Sequence, residues 1–246
     1  MAILSTALAV VATVATAPSA NAIVGGGLKS DGPAYMARIS LYDRNFNDKG
    51  ACTGSLIDDE WVLTARHCID DLKFDAAGGD SFWIDFPQAR YNGLRVDRVT
   101  SEYRSNDDTD VALIHVDRIS EITPAELVDT DDKVCQHKGD VVEVLGYGGS
   151  GRSWNDTEVL RSATYKVEDR IWSRAQDRLH YNYLMKINEM GYGEVERGDS
   201  GGPVLCTNGA AIRNRVVAIT SATDGKSSAA VVRLASIRRW IDEQVS

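Results

Sequence analysis

Short apolar runs separated by polar, Gly-rich clusters form the dominant pattern along this chain. Seven runs have the length and the β-branched or aromatic content typical of strands. They cover residues 61–65, 81–86, 94–103, 111–116, 141–147, 215–222 and 229–234. Clusters of Gly, Asn and Asp, such as residues 45–50 and 148–156, lie between the runs and favour turns. The pattern predicts an all-β fold.

The end of the chain has a different period. Apolar residues recur there at the spacing of one helix face, at Leu234, Ile237, Trp240, Ile241 and Val245. This spacing predicts a C-terminal helix, and we expect its apolar stripe to pack on the core rather than to bind a partner.

The first 22 residues are set apart from the rest. They contain no charged side chain, carry an apolar run over residues 2–17 and end in Ala20-Asn21-Ala22. Such a run followed by Ala-x-Ala is typical of a secretory signal peptide and is shorter than a confident membrane span, although the usual basic residue before it is missing. We expect residues 1–22 to be removed, so that a secreted, extracellular protein without a membrane anchor begins at Ile23. An earlier cut that leaves residues 18–22 attached is the alternative, which the proline directly after that bond disfavours.

Charge and cysteine content narrow the class of function. The chain has 36 acidic and 27 basic side chains, a net charge of −9, which disfavours nucleic acid or an anionic membrane as a partner. Export to an oxidising compartment makes the four cysteines candidates for two disulfides. Asn155 begins an N-glycosylation sequon, which has meaning only in a eukaryotic secretory route.

The strongest chemical signal is Gly-Asp-Ser-Gly-Gly-Pro at residues 198–203. A serine hydroxyl is a weak nucleophile at neutral pH and needs a base, an oriented backbone and close substrate approach. Glycines on both sides of Ser200 permit positive φ angles and leave backbone N–H groups uncovered. Such a turn can direct the N–H groups of Gly198 and Ser200 at one point, where an oxyanion forms. A bare Gly-x-Ser-x-Gly is more often an ordinary turn, and the full hexapeptide is far more specific.

A base for this serine must come from one of four histidines, which are His67, His115, His137 and His180. His67 follows the strand-like run 61–65 and precedes Cys68, whereas the other three have settings typical of exposed or structural histidines. Asp110 begins the apolar run 111–114 and is the best carboxylate to fix the tautomer of an imidazole. Most other acidic residues lie in polar clusters that indicate solvated loops.

Four motifs together resemble the chymotrypsin/trypsin family of serine proteases. They are Ile-Val-Gly-Gly at 23–26, Thr-Ala-Arg-His-Cys at 64–68, Asp-Val-Ala-Leu at 110–113 and the hexapeptide at 198–203. They occur in the family's order, and the resemblance extends from residue 23 to residue 246. It implies an all-β fold of two packed six-stranded antiparallel β-barrels followed by a C-terminal helix.

The resemblance also implies how the chain is divided. Residues 23–128 would form an N-terminal barrel that carries His67 and Asp110. Residues 129–246 would form a C-terminal barrel and the terminal helix, and would carry Ser200. The family's disulfides correspond here to Cys52 with Cys68 and to Cys135 with Cys206.

The function implied by the resemblance is that of a secreted, monomeric serine endopeptidase without a cofactor. Protein or peptide substrates are the expected partners, and protein protease inhibitors are further candidates. The catalytic residues would be His67, Asp110 and Ser200, and the N–H groups of Gly198 and Ser200 would form the oxyanion hole. In the family a new N-terminal ammonium pairs with the Asp before the nucleophile, here Ile23 with Asp199. Because the predicted signal cleavage exposes Ile23 directly, we expect no separate activating cleavage.

Substrate specificity is left with two alternatives. Glu194, six residues before Ser200, would lie at the floor of the primary pocket and would favour Arg or Lys before the cleaved bond. Thr223 and Ala229 stand where deep-pocket members of the family keep glycine, which favours small or aliphatic residues instead. The cysteine pair that braces this pocket in the family is also absent. Ser221 matches a serine that lines the cleft near the triad aspartate.

Other classes of protein are weaker alternatives. A non-catalytic secreted homologue that binds a partner would usually lose a triad residue, although Arg66 departs from the family's preference for a small residue before the histidine. A non-peptidase acyl hydrolase would use the same triad on esters. No metal site is expected, since there is no His-Glu-x-x-His motif. The acidic residues Asp70, Asp71 and Asp75 favour a solvated loop over the calcium site of some relatives.

Overall fold

The computed structural model describes residues 23, 25–91, 94–135, 137–148, 159–170, 184–191, 193–207, 215–225 and 227–246. The strands, in chain order, are β1 (Gly27–Leu28), β2 (Met36–Tyr42), β3 (Asp48–Asp58), β4 (Trp61–Thr64), β5 (Ser81–Tyr91), β6 (Leu94–Thr100), β7 (Tyr103–Ser105), β8 (Ala112–His115), β9 (Val141–Gly146), β10 (Arg161–Arg170), β11 (Leu184–Glu189), β12 (Pro203–Cys206), β13 (Val216–Thr223) and β14 (Ser228–Arg233). The helices are α1 (His67–Asp70) and α2 (Arg238–Val245), and a 3-10 turn covers Leu234–Ser236.

The first sheet is antiparallel throughout and has the order β6-β5-β2-β3-β4-β8-β7. Its strands all come from residues 36–115. The strand β8 pairs with β4, with Ala112 opposite Thr64, so that the start of β8 just after Asp110 lies beside the end of β4 just before His67. The two candidate residues are therefore brought together by the end of one sheet.

The second sheet is also antiparallel and has the order β1-β10-β11-β14-β13-β12-β9. Because β9 pairs with both β12 and β10, six of these strands connect into a ring. The short β1 pairs with residues 161–162 at the start of β10, before the residues 165–170 that pair with β11. Two antiparallel sheets and an all-β fold are thus confirmed. The boundary at residue 128 stays a prediction, and β1 and Leu127 both contact the second sheet.

All seven predicted strands are present, with their ends shifted by a few residues, but β1, β2, β3, β10, β11 and β12 were not predicted. In β2 and β10 polar and apolar residues alternate, as in β2, where Ile39 and Leu41 are buried and Arg38 is half-buried. Arg38 donates two hydrogen bonds, of 2.9 and 3.0 Å, to Asp85, which is its cross-strand partner on β5. The polar positions make the strand inconspicuous in the sequence, yet they form a paired face of the sheet.

The expected loop at residues 45–50 is shorter than predicted, because β3 begins at Asp48. One carboxylate oxygen of Asp43 accepts the backbone N–H groups of Asn45 at 2.8 Å and Asn47 at 2.9 Å. This side-chain bonding closes the turn within a few residues. The polar residues that follow are free to pair, and Asp48 lies opposite Tyr42.

The C-terminal helix is present as α2, and the residues before it form the 3-10 turn instead of a continuous helix. Ile241 is buried, which agrees with an apolar stripe that packs on the protein. Arg238 donates hydrogen bonds to the carbonyl oxygens of Leu127 at 3.3 Å and Val128 at 3.1 Å. The helix is therefore fastened to the segment that joins the two sheets.

Candidate active site

His67 is the first residue of α1, and only two residues separate it from the end of β4. Its neighbour Cys68 forms a disulfide with Cys52 of β3, a link that spans 16 residues of sequence. The start of the helix is thus tied to the sheet both through the chain and through the disulfide, which fixes the position of the imidazole. The other predicted pair, Cys135 and Cys206, is also a disulfide.

Asp110 is held by a compact turn. The side-chain oxygen of Asn106 accepts the N–H groups of Asp108 at 2.8 Å and Thr109 at 3.1 Å. Asp110 itself is 4% exposed. One of its oxygens accepts the backbone N–H of His67 at 2.8 Å, and the other lies 2.8 Å from the Nδ1 atom of the same residue. The carboxylate therefore fixes both the main chain and the ring of the histidine.

Ser200 completes a continuous chain of contacts. The Nε2 atom of His67 lies 2.7 Å from the Oγ atom of Ser200. The hydroxyl of Ser221 donates to Asp110 at 2.6 Å and adds a further bond to the carboxylate. The predicted residues come from three distant parts of the sequence. They thus lie within hydrogen-bond distance of one another, in the geometry that a serine nucleophile needs.

The pKa values of His67 and Asp110 are shifted in opposite directions. Burial alone would lower the pKa of His67, but the hydrogen bond and charge of Asp110, with the charges of Asp71 and Asp70, raise it above its ordinary value. Burial would raise the pKa of Asp110, but the hydrogen bonds from His67 and Ser221 outweigh it and hold this pKa below its usual range. Asp110 is therefore an ionised partner for an imidazole of increased basicity.

The turn around Ser200 depends on two glycines with positive φ angles. Gly198 has φ +94° and Gly201 has φ +79°. A Cβ atom at Gly201 would lie 2.5 Å from the carbonyl oxygen of Thr53 and 2.7 Å from the backbone nitrogen of Ala65. No side chain fits there, because both are backbone atoms, one of β3 and one of the residue that follows β4. The N–H groups of Gly198 and Ser200 make no hydrogen bond to the described part of the chain.

Asp199 is fully buried beneath this turn. It accepts the N–H groups of Gly148 at 2.8 Å and Glu196 at 2.9 Å, and the N–H of Ile23 also lowers its pKa. Burial outweighs these bonds and raises the pKa of Asp199 to about 7. Ile23, which is likewise buried, has φ 40°, a rare value for a β-branched residue. The predicted partners are thus in contact while the nitrogen of Ile23 is a peptide N–H.

Close packing against Asp199 was not predicted from the sequence. A Cβ atom on Gly146 or Gly148 would lie 2.7 Å from the carboxylate carbon of Asp199. The Gly-Tyr-Gly sequence at 146–148 is the signal for this contact, but only the fold shows which residue it makes room for. The two glycines admit a buried carboxylate where larger residues would exclude it.

Of the predicted pocket residues, Thr223 and Ala229 lie opposite each other on β13 and β14. Ala229 is buried, whereas Thr223 is exposed and donates from its hydroxyl to the carbonyl oxygen of Ser228 at 3.3 Å. Glu194 is half-buried, between Gly193 and the buried Val195. The hydroxyl of Tyr165 accepts the N–H of Val195 at 3.0 Å, so the chain next to Glu194 is fixed.

Arg66 has a definite place in this site. Its Nε atom donates to Asp70 of α1 at 2.8 Å, and its Nη1 atom donates to the carbonyl oxygen of Asn106 at 2.8 Å. The side chain therefore connects the helix that begins at His67 to the turn that carries Asp110. A second, weaker contact joins Nη1 to the exposed Asp107 at 3.6 Å.

The other histidines and the sequon lie apart from this site or outside the described residues. His115 contacts Glu102 at 3.0 Å and His137 lies 3.6 Å from Asp140, whereas His180 and Asn155 lie outside the described residues. Within the described ranges, no group of three or more His, Cys, Asp or Glu side chains is placed to hold a metal ion. None of the described helices has the length and apolar character to cross a membrane.

Two antiparallel sheets with a serine, a histidine and an aspartate joined by hydrogen bonds between them define a protein of the trypsin-like serine protease class. The family model described as Trypsin matches residues 23–241. The chain therefore belongs to the trypsin family, and its relatives indicate a peptidase.

Curated relatives match over most of their length. Granzyme B from Rattus norvegicus is 27% identical over 236 residues, which cover 90% of this chain and 90% of the relative. Mast cell protease 3 from Ovis aries is 25% identical over 242 residues and covers 95% of this chain and 93% of the relative.

Solved structures show the same fold. An HL collagenase structure has a TM-score of 0.68 at 21% identity, with 91% of this chain and 98% of that chain covered. A scabies mite inactivated protease paralogue has a TM-score of 0.65 at 18% identity, with 90% and 98% covered. Since the fold is common to both, the activity of this chain must be argued from its own site residues.

Proposed function

We propose that this chain is a secreted serine endopeptidase that hydrolyses peptide bonds through an acyl-enzyme. The observation that carries the proposal is the continuous contact from Asp110 to His67 at 2.8 Å and from His67 to Ser200 at 2.7 Å. A non-catalytic homologue has no need of this geometry, and the retained contacts disfavour that alternative.

In the proposed reaction, the Oγ atom of Ser200 attacks the scissile carbonyl carbon while the Nε2 atom of His67 takes the hydroxyl proton. The carbonyl π pair moves to the oxygen, and the N–H groups of Gly198 and Ser200 receive the resulting oxyanion. His67 then gives its proton to the leaving nitrogen, the C–N bond breaks and the acyl-enzyme remains. A water molecule then gives a proton to His67 and attacks the ester carbon, the bond between that carbon and the Oγ atom breaks, and His67 returns the proton to Ser200 as the carboxylic acid leaves.

The pKa shifts support these roles and fix the pH dependence. Asp110 must stay ionised to stabilise the imidazolium, and its lowered pKa favours this state. His67 must be neutral to accept a proton, and its pKa is raised. Activity is therefore lost as the pH falls through the pKa of His67, at a pH above the ordinary histidine value of about 6.5.

Ile23 is the proposed N-terminus of the active protein. The buried position of Ile23 beside Asp199 supports a pair between its ammonium group and the carboxylate. Cleavage before Ile23 removes the preceding carbonyl group and with it the strain of φ 40°. A charged amine also compensates the buried carboxylate, which is costly without a partner. Signal cleavage alone would thus deliver the active form.

Secretion is supported by the disulfides Cys52–Cys68 and Cys135–Cys206, which include all four cysteines of the chain. Disulfides persist in oxidising compartments and are rare in the cytosol. The secreted protein is proposed to act as a monomer on protein or peptide substrates, with protein protease inhibitors as further partners.

The proposed specificity is for Arg or Lys before the cleaved bond, with Glu194 as the counter-ion. Thr223 and Ala229 lie opposite each other on β13 and β14. They support the alternative of a small or aliphatic residue, because their side chains would narrow the proposed pocket. The two specificities differ in what they require of Glu194: only the preference for Arg or Lys needs its charge.

A cleavage-site profile tests the proposal. The secreted protein is incubated with a complex peptide library beside its Ser200→Ala variant, and each cut is mapped by mass spectrometry. Cuts that disappear in the variant are expected, and the residue before them decides between the two specificities. A folded protein with a free Ile23 amine that makes no Ser200-dependent cut would refute the endopeptidase proposal.

A further inference from the structure

Thr53 of β3 is fully buried at the seam between the two sheets. Its backbone N–H donates to the carbonyl oxygen of Ser200 at 2.9 Å. Its hydroxyl donates to the carbonyl oxygen of Gly198 at 2.8 Å. One residue of the first sheet therefore holds two carbonyl groups of the nucleophile turn, on either side of Asp199.

The hydroxyl of Thr53 also works as an acceptor. The backbone N–H of Tyr147 donates to it at 3.0 Å, so that one oxygen satisfies a buried donor and a buried acceptor of the second sheet. A hydroxyl can donate and accept hydrogen bonds, whereas an aliphatic side chain of the same shape can do neither. The methyl group of Thr53 lies against Gly202, where a Cβ atom would be 3.3 Å from it.

These bonds act on the peptide units that carry the proposed oxyanion donors. The peptide between Gly198 and Asp199 is held at its oxygen by Thr53 and at its N–H by the carbonyl oxygen of Glu196, at 3.1 Å. The donor N–H groups belong to the peptide units directly before and after it. Because this central peptide unit is fixed and the carbonyl oxygen of Ser200 is also bonded, the N–H groups of Gly198 and Ser200 keep a fixed orientation. Gly198, at φ +94°, would otherwise rotate easily.

We propose that Thr53 is a positioning residue that holds the oxyanion turn from across the seam, a role that rests on the proposed peptidase function. Asp199 holds the same turn through a charge that depends on its partner, whereas the hydroxyl of Thr53 is neutral. Its contribution is therefore independent of pH and of the amine of Ile23. The turn has two anchors of different chemistry.

The test compares Thr53→Val with Thr53→Ser in the secreted protein. Rates are expressed per active site, counted by the burst of an ester substrate, so that loss of folded protein does not enter. Thr53→Val is expected to lower kcat about 10- to 100-fold with KM changed less than about twofold, since the donors are misdirected rather than removed. Thr53→Ser keeps the hydroxyl and is expected to stay within about threefold of the parent.

A second measurement separates positioning from stability. Affinity for a peptide boronate, which forms a tetrahedral adduct on Ser200, is expected to fall with kcat in Thr53→Val. Affinity for the product peptide is expected to stay unchanged, because product binding does not need the oxyanion donors. Ser55→Ala, on the same buried strand and without a hydrogen-bond partner for its hydroxyl among the described residues, is the matched control.

The outcomes are distinct. Equal kcat values per active site in Thr53→Val and the parent would overturn the role of Thr53 while leaving the peptidase function intact. If Thr53→Val does not fold, Thr53→Ala is measured in the same way, and a kcat loss below about threefold overturns the proposal. Absence of Ser200-dependent cleavage in the parent protein would refute the proposed function itself.

Discussion

The two halves of the candidate site are held by different kinds of contact. His67 and Asp110 are joined directly, side chain to side chain and side chain to backbone, at one end of the first sheet. The turn of Ser200 is instead held through its backbone carbonyl groups and through the side chain of Asp199. It depends on a buried carboxylate below it and on Thr53 across the seam. The acid–base half is complete within a short stretch of structure, whereas the nucleophile half needs distant segments.

This difference predicts how each half fails. Loss of a contact in the acid–base half is expected to displace the imidazole of His67 or to change its protonation state, and to leave the fold intact. Loss of a contact in the nucleophile half changes the backbone of the turn, because its order comes from the contacts of Asp199 with Gly148 and Ile23 and from Thr53 across the seam. The same Asp→Asn substitution in each half therefore tests the comparison.

The largest effect is expected for Asp110→Asn. The amide would present its NH₂ group to the Nδ1 atom of His67 and favour the wrong tautomer, so that the base cannot take the proton of Ser200. By analogy with other triad enzymes, kcat should fall about 10⁴-fold with KM nearly unchanged. Steady-state kinetics measure kcat and KM, and thermal unfolding measures the stability of the fold. Unfolding should be little altered, and a kcat within about tenfold of the parent would contradict the assignment of Asp110.

A smaller effect on rate, with a larger effect on structure, is expected for Asp199→Asn. The substitution removes the charge that the Ile23 ammonium compensates, and the turn loses its anchor on one side. We expect a loss of about 10²–10³ in kcat, comparable with the loss of one oxyanion donor. Active-site titration should show fewer competent molecules, unlike Asp110→Asn. Equal titres in the two variants would remove the distinction between the halves.

Much of this arrangement could be predicted from the sequence. The proposed triad residues lie in short local motifs, and strands such as β8 are nearly continuous apolar runs, so both could be predicted without the fold. Contacts that connect distant segments were not. Thr53 is 145 residues from Gly198 and 94 from Tyr147, and nothing in the neighbouring sequence indicates either partner. The alternating strand β10 was inconspicuous for a different reason, because its apolar residues face only one side.

The pH dependence of stability gives the third prediction. In a chain with residues 20–22 left attached, the nitrogen of Ile23 is a peptide N–H and the pKa of Asp199 is about 7, above the unfolded value of about 3.9. A raised folded pKa means stability that is complete below about pH 4 and is lost as the pH rises to about 7. The loss is on the order of a few kcal/mol. A free Ile23 ammonium opposes it by pairing with the carboxylate.

Urea unfolding of both forms at pH 5 and pH 7.5, in a Ser200→Ala background that prevents self-cleavage, measures this difference. The advantage of the form that begins at Ile23 should grow with pH. Adding Asp199→Asn to both forms should abolish that growth, because no carboxylate remains to titrate. A constant advantage across the pH range would show that the charge of Asp199 does not connect the N-terminus to the turn.

The smallest effect is expected for Arg66→Ala, in the acid–base half. Removing the guanidinium frees Asp70, whose charge already raises the pKa of His67, and takes a positive charge away from the ring. The acidic limb of kcat/KM should move up by about half a pH unit, because a more basic His67 stays protonated to a higher pH. Since the bond to the carbonyl oxygen of Asn106 is also lost, kcat above pH 8 should fall by about two- to fivefold.

Two further variants separate the charge of Arg66 from its geometry. Arg66→Lys keeps the charge but cannot reach Asp70 and Asn106 with the same planar fork, so it should restore the pH limb without restoring all of kcat. Arg118→Ala is the matched control, because this exposed arginine pairs with Asp59 and Glu60 away from the proposed catalytic residues. A pH limb that stays fixed in Arg66→Ala, or that moves equally in Arg118→Ala, would show that Arg66 acts on the fold and not on His67.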